Sequence, residues 1–570
     1  MKRWGYWVVI AGVLIALVVL IGWANAYVPL MTSRASETWS RGRIVGTTPV
    51  SVQVDIRAAS DRGMFLAWAD LDGRLHVARM DARGRVVADW VPALDSDIPR
   101  EPRFLVEPLE SEDDFRIHLV WRETGDSRSL LTYARLDSAG SVQVGPLPLS
   151  LPGDAAQSPH VAFNRRGGIE VFWVGNAGVY RATLSAEGEM QGEPALLAED
   201  GEIVSVQVDR RGTFHIAWLQ ATDPREKVIR YASLDPEQKD LSQPEEMDRV
   251  FLRPGQVVQS LTLGVDSDTG YVLWVVQDMK YVTSSAHYAF FPLEIPRQKK
   301  VRDLQLDEGG DPLSLWAMRG QHETLLVALT ETIMTQDGPR LQIGVIVPQG
   351  ERSPGDFVWM AVGGQGSALA IAQGGWPEDQ YVVTASDRPS LKPSLAADER
   401  GNLHLTWLET GGFGVYRVAY ASTAAEVRAA YNSLTVWDIT DRAMGIAMQL
   451  FLALGLTPVL AITWSLFPLM WLLGYHLVTG RENLSAPGTW AALGVSVLLE
   501  LLFTYLIYPY RSSLPVALRW TLPLVAAVAA LLLTAVYLRK QDERWLFGAF
   551  FVFAVAYGFF QVVCFVLLRL

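Results

Sequence analysis

Asp398-Glu-Arg-Gly401-Asn402-Leu-His404-Leu-Thr-Trp407 reads as a tight turn followed by a strand that ends in tryptophan. An Asp at a turn start accepts hydrogen bonds from backbone amides two residues on, and Gly supplies the positive φ that closes the turn. Related turns open at Asn164-x-x-Gly167 and Asp209-x-x-Gly212, each with six residues from Gly to Trp. Behind the second of these, Phe214, Ile216 and Trp218 alternate and so share one face of a strand.

The tryptophan strand recurs along the chain. Copies end at Trp68, Trp121, Trp173, Trp218, Trp274 and Trp407, with weaker ones at Trp316 and Trp359. These eight are 42 to 56 residues apart. About a dozen residues after the Trp comes a second strand, as in Tyr133-Ala-Arg-Leu-Asp137 and Tyr231-Ala-Ser-Leu-Asp235. Short alternating segments broken by Asp/Gly turns fill residues 35–430, which is an all-β reading. A lone sheet of ~45 residues cannot bury its apolar face, whereas radial stacking of copies buries both faces. The spacing therefore predicts a β-propeller of seven or eight blades. Seven is the count if the worn segment 276–360 holds fewer.

These turns and strands resemble the Asp-box repeats of sialidase-like β-propellers. Asp398 to Trp407 is the fullest copy, and Asp209 opens another. The resemblance covers the middle of the chain only. It implies the propeller fold, and it brings a glycan-binding or glycan-processing enzyme into view. A sialidase would need three arginines on a carboxylate, a Tyr–Glu nucleophile pair and an acid/base Asp. No motif singles out such a set, and Ile98-Pro99-Arg100 is not the family's Arg-Ile-Pro signature.

The flanks read differently. Trp4 to Trp23 is free of charge and follows Lys2 and Arg3. Twenty residues of helix at ~1.5 Å each cross one hydrocarbon core of ~30 Å. Residues 1–30 are therefore expected to form an N-terminal membrane anchor. Ala24-Asn25-Ala26 leaves a cleaved signal peptide as the alternative. Apolar runs at 443–475, 488–510, 516–538 and 545–568 predict four C-terminal spans within 443–570. Counting the first run as one span puts Arg481, Arg539, Lys540 and Arg544 in the cytoplasm, as the positive-inside rule asks. The N-terminus is then cytoplasmic, and the propeller and C-terminus lie outside a plasma membrane. Cys564 is the single cysteine, so no intrachain disulfide forms. The exported stretch carries no Asn-x-Ser/Thr triplet, and the two facts together point to a prokaryote.

Charge narrows the partners. The net charge is −12 although both flanks are basic, so the acidic excess lies in the exported middle. Such a surface repels phosphate backbones, and nucleic acid is not expected as a partner. His118, His215 and His404 each precede a blade Trp by three residues. They read as an inherited repeat letter, since a zinc ring would need ligands converging within ~2.1 Å of one ion. Asp70-Leu-Asp72-Gly73 and Asp266-Ser-Asp268-Thr-Gly270 read as tight turns, with one surface Ca²⁺ as the alternative. Glu500, at the centre of a span, and Gln561 are the intramembrane polar candidates. No phosphate-binding loop, dinucleotide fingerprint or nucleophile elbow occurs, and no cofactor is expected. The favoured function is a binding or assembly subunit of a membrane complex, with other protein subunits or a surface glycan as partners. The rivals are the glycan-processing enzyme and a sensor that relays a ligand signal through its spans.

Overall fold

The computed structural model describes residues 38–433 and 465–568, less several short stretches of which the longest are 349–356, 371–388 and 508–515. The expected anchor at 4–23 and the start of the first C-terminal run lie outside the described residues. The chain divides into two compact units, 1–433 and 434–570.

The first unit is a propeller of seven four-stranded antiparallel sheets. Blade one comprises Asp55–Ala58, Met64–Ala69, Leu75–Met80 and Val86–Trp90. Blades two to six occupy residues 98–148, 157–199, 201–251, 256–303 and 311–359. Blade seven takes Ser390–Ala397, Leu403–Gly412 and Val415–Ser422, and its fourth strand is Arg43–Thr48 from the beginning of the chain. The first strand of each blade touches the first strands of both neighbours, so seven inner strands close a ring around a channel.

The turns form as the sequence implies. Asp398 Oδ1 accepts from the amide of Asn402 at 2.8 Å, and Gly401 sits at φ +78°. Asp209 Oδ1 accepts from Thr213 N, and Asn164 Oδ1 from Arg166 N and Gly168 N. Asp70 uses Oδ1 for the amides of Asp72 and Arg74, and Oδ2 for the Arg74 and His76 side chains.

Seven blades, not eight, follow from where two tryptophans stand. Trp68, Trp121, Trp173, Trp218, Trp274 and Trp407 all lie on second strands. Trp316 lies on the first strand of blade six and Trp359 on its fourth, so one blade had been counted twice. In that blade Leu329 holds the tryptophan register, opposite Leu315 as Trp218 is opposite Val204. The side chain of Trp359 is outside the described residues.

Each tryptophan packs against the blade before it. Trp173 meets Val120 and Tyr133 of blade two, Trp274 meets Leu219 and Ile229 of blade four, and Trp68 meets Leu408 and Tyr420 of blade seven. Leu329 does the same against Leu273 of blade five. Six tryptophans at these positions are 4% exposed or less, which is where aromatic area contributes most to the core.

The ring is latched where chain entry meets exit. Ser40 N donates to Ser422 O at 2.8 Å, and Ser422 N donates to Ser40 Oγ at 3.0 Å. Helix α1 (Ala425–Tyr431) ends at Asn432, whose Oδ1 accepts from Arg41 N at 2.8 Å and whose Nδ2 donates to Trp39 O.

Among its described residues the second unit holds four further helices, α2 (Leu466–Thr479), α3 (Pro487–Ile507), α4 (Val516–Arg539) and α5 (Leu546–Leu568). Leu472, Ala492, Ala530, Phe550 and Tyr557 form their common core. Among the described residues one stretch, Pro487–Thr504, is long and apolar enough to cross a membrane by length and composition. The α2–α3 and α4–α5 loops pair with each other: Leu484 N donates to Arg544 O, and Leu546 N donates to Glu482 O.

Asn432→Ala removes both side-chain bonds of the latch and leaves the Arg41 amide without its acceptor. We expect a loss of about 1–3 kcal/mol in propeller stability, read as a lower denaturant midpoint, with secondary structure retained.

Candidate functional site

The channel wall is built from one repeated position. On each inner strand, one residue lies opposite the residue that precedes the tryptophan register. Around the ring these are Asp55, Arg103, His160, Ser205, Thr262, Trp316 and Ser394. Six of the seven are polar.

The chemistry of the position follows from blade geometry. Inner strands of neighbouring blades are edges to each other and share no ladder. An unpaired edge amide buried beside the channel needs an acceptor. Asp55 Oδ2 accepts from Phe104 N of blade two at 3.1 Å, Ser205 Oγ from Leu263 N of blade five at 3.0 Å, and Thr262 Oγ1 from Ala317 N of blade six at 3.1 Å. His160 Nε2 donates to Val204 O of blade four at 3.0 Å. The ring thus joins blade to blade through side chains.

Two members reach further. Arg103 is 6% exposed, donates to Gln53 Oε1 and Pro102 O, and lies 5.4 Å above the Trp316 ring, which belongs to a blade across the channel. Burial holds its pKa below the usual guanidinium value, against the pull of Asp55. Arg57, two residues after Asp55, donates from Nε to Asp55 Oδ2 at 3.3 Å and points its strand position into the channel. Asp55 Oδ1, Arg103 Nε and Ser394 Oγ are buried with no partner among the described residues.

Three ring residues follow a left-handed bulge. Glu101, Ser158 and Lys392 have φ of 51°, 52° and 52°, and each precedes a proline: Pro102, Pro159 and Pro393. A non-glycine residue rarely adopts this conformation, and bulges of this kind re-aim the next side chain. Here they precede Arg103, His160 and Ser394 by two residues.

Beyond the ring, toward the far ends of the inner strands, the channel widens into a cavity of about 370 Å³. All seven inner strands line it, with Arg57, His160, Ser205, Gln207, Thr262 and Arg319 as its polar wall. No carboxylate is among the described residues of the lining. Burial, and then the Arg103 charge, push His160 down to about 3, so its imidazole is neutral.

The blade histidines lie elsewhere. His118, His215 and His404 bond Tyr133, Tyr231 and Tyr420 through Nδ1 at 2.7–2.9 Å. Their Nε2 atoms face Glu107, Asp209 and Asp398 at 3.3–3.4 Å. Each set lies within its own blade. In blade three Glu170 takes the histidine position and pairs with Arg181 at 2.8 Å. No group of three or more metal-ligating side chains occurs among the described residues.

Glu500, in α3, is fully buried; Oε1 accepts from Ser465 Oγ at 3.0 Å, and Oε2 has no partner among the described residues. One turn on, Thr504 bonds Tyr557. The side chain of Gln561 is outside the described residues.

Sequence reasoning missed the ring, although a signal was there. In blades one, three, four and seven the ring residue stands 13 residues before the blade tryptophan. Trp316 stands 13 before Leu329, while blades two and five shift the interval to 18 and 12.

No protein-family profile matches the chain, and no curated protein matches it. Several solved structures are similar in fold. One is a protein of unknown function from Dyadobacter fermentans, at 10% identity and a TM-score of 0.36, covering 66% of this chain and 99% of that one. A thermostable family-43 glycoside hydrolase is 14% identical with a TM-score of 0.28, covering 48% and 94%. An endo-arabinase from Bacteroides thetaiotaomicron is 10% identical with a TM-score of 0.27, covering 57% and 94%. At such identities and scores these likenesses carry nothing about what this chain binds.

A pH prediction follows from the buried imidazoles. Burial holds His118 at about 4 and His160 at about 3, both below the ordinary histidine value of 6.5. Between about pH 6.5 and 4 the unfolded chain binds more protons than the folded one, so stability falls as the pH is lowered. Denaturant midpoints at about pH 7.5 and about pH 5 should differ accordingly. His160→Gln keeps a donor for Val204 and should narrow that difference.

Proposed function

We propose that the protein is a membrane-anchored, extracytoplasmic propeller that acts as a binding or assembly subunit of a membrane complex. The observation that supports this best is the position of the two chain links. Ser40 is tied to Ser422, and Asn432 to Trp39 and Arg41, at the end of blade seven that also carries the Asp398 turn. The described chain enters and leaves the propeller there, and the propeller has a second, opposite end. That end carries Leu71, Leu151, Phe251, Met279 and Tyr281, each 48–69% exposed. Exposed apolar side chains of this size are the raw material of protein interfaces.

The membrane reading draws on two further facts. The loops at 480–486 and 540–545, which carry Arg481, Lys540 and Arg544, pair through their backbones, so they share one end of the helical unit, as a common cytoplasmic side requires. Glu500 is buried and bonded to Ser465 rather than left facing outward, the arrangement a bilayer demands of a carboxyl group. The Asp209 and Asp398 turns support kinship with Asp-box propellers, and through that a glycan as an alternative ligand.

Topology is tested by single cysteines in a Cys564→Ala background. A membrane-impermeant maleimide applied to intact cells should label Met279→Cys and spare Lys540→Cys. The reverse pattern would refute the orientation. Purification in mild detergent should bring stoichiometric partner subunits with the chain, and a chain that runs alone would count against the assembly role.

A further inference from the structure

We propose that the central cavity is a binding site for a small hydroxylated organic carboxylate. The case is a census of hydrogen-bonding groups at the wall. Ser205 and Thr262 accept backbone amides through their hydroxyl oxygens, so their O–H groups remain as donors. Arg57 gives only Nε to Asp55, and its two terminal nitrogens have no partner among the described residues. Gln207 donates to Ala317 O at 3.1 Å, and Arg319, whose Nη1 donates to Val208 O at 3.5 Å, places a second guanidinium in the wall. Among the described residues the lining includes two cations and no carboxylate. A wall so rich in donors fits a ligand with several acceptor oxygens and a negative charge.

The wall also offers acceptors for hydroxyl groups. With Nε2–H donated to Val204 O, the neutral His160 ring keeps Nδ1 as an acceptor. The volume of about 370 Å³ suits a molecule of monosaccharide size. This inference concerns the channel of the propeller and does not depend on membrane orientation or on partner subunits.

The test uses the full chain in detergent, with D-glucuronate as probe and D-glucose as the uncharged control. Calorimetry and thermal denaturation should show that glucuronate binds and raises the midpoint, while glucose does neither. Arg57→Gln should weaken glucuronate binding roughly tenfold or more, and Arg57→Lys should restore part of it. Arg319→Gln serves as the second variant should Arg57→Gln fail to fold. No response to glucuronate, an equal response to glucose, or binding unchanged in the folded Gln variants would each overturn the assignment.

Discussion

The burial of blade against blade is the constraint from which the rest of the propeller follows. A four-stranded antiparallel sheet has two faces and cannot hide either alone. Each apolar cluster of the propeller is shared by two consecutive blades, as Trp173 with Val120 or Trp407 with Leu326 and Ala328. The second-strand tryptophan supplies the largest side chain at that contact. The wheel must then close, because an open series would leave one face of its first blade and one of its last in water. Arg43–Thr48, pairing with Val415–Ser422, completes blade seven so that its faces can be covered.

Closure creates a second problem at the axis. Seven inner strands meet edge to edge without ladders, and their amides would go unpaired beside the channel. The chain meets this with side chains at one register, such as Asp55 on Phe104 N and Thr262 on Ala317 N. These polar groups are there for structural reasons, yet Thr262, with Ser205 and His160, also lines a cavity. A site of this kind arises because edge capping places hydroxyls, a carboxylate and guanidiniums around one axis.

The paired positions in the blade interiors show the same economy of means. Histidine with tyrosine in blades two, four and seven, and glutamate with arginine in blade three, occupy equivalent cross-strand places. Both pairings satisfy a buried polar group within its own sheet. The histidines are thereby consumed in structure, and a metal ring would need them on one axis, where they are not.

The strand period, the Asp and Asn turns, and the tryptophan register were legible in the sequence, because each depends on neighbours within about ten residues. Local hydrogen bonds at Asp209 and Asp398 need only the following amides and a glycine. The blade count was not, since Trp316 and Trp359 match the period by distance along the chain while standing on the first and fourth strands of one sheet. Leu329 fills the vacant register, and burial does not distinguish it from tryptophan. The channel was also beyond the sequence. Asp55, Arg103 and His160 follow one another at steps of 48 and 57 residues, and their meeting depends on ring closure rather than on anything local. Pattern fixes what a strand buries; only the assembled wheel decides which side chains face one another across its axis.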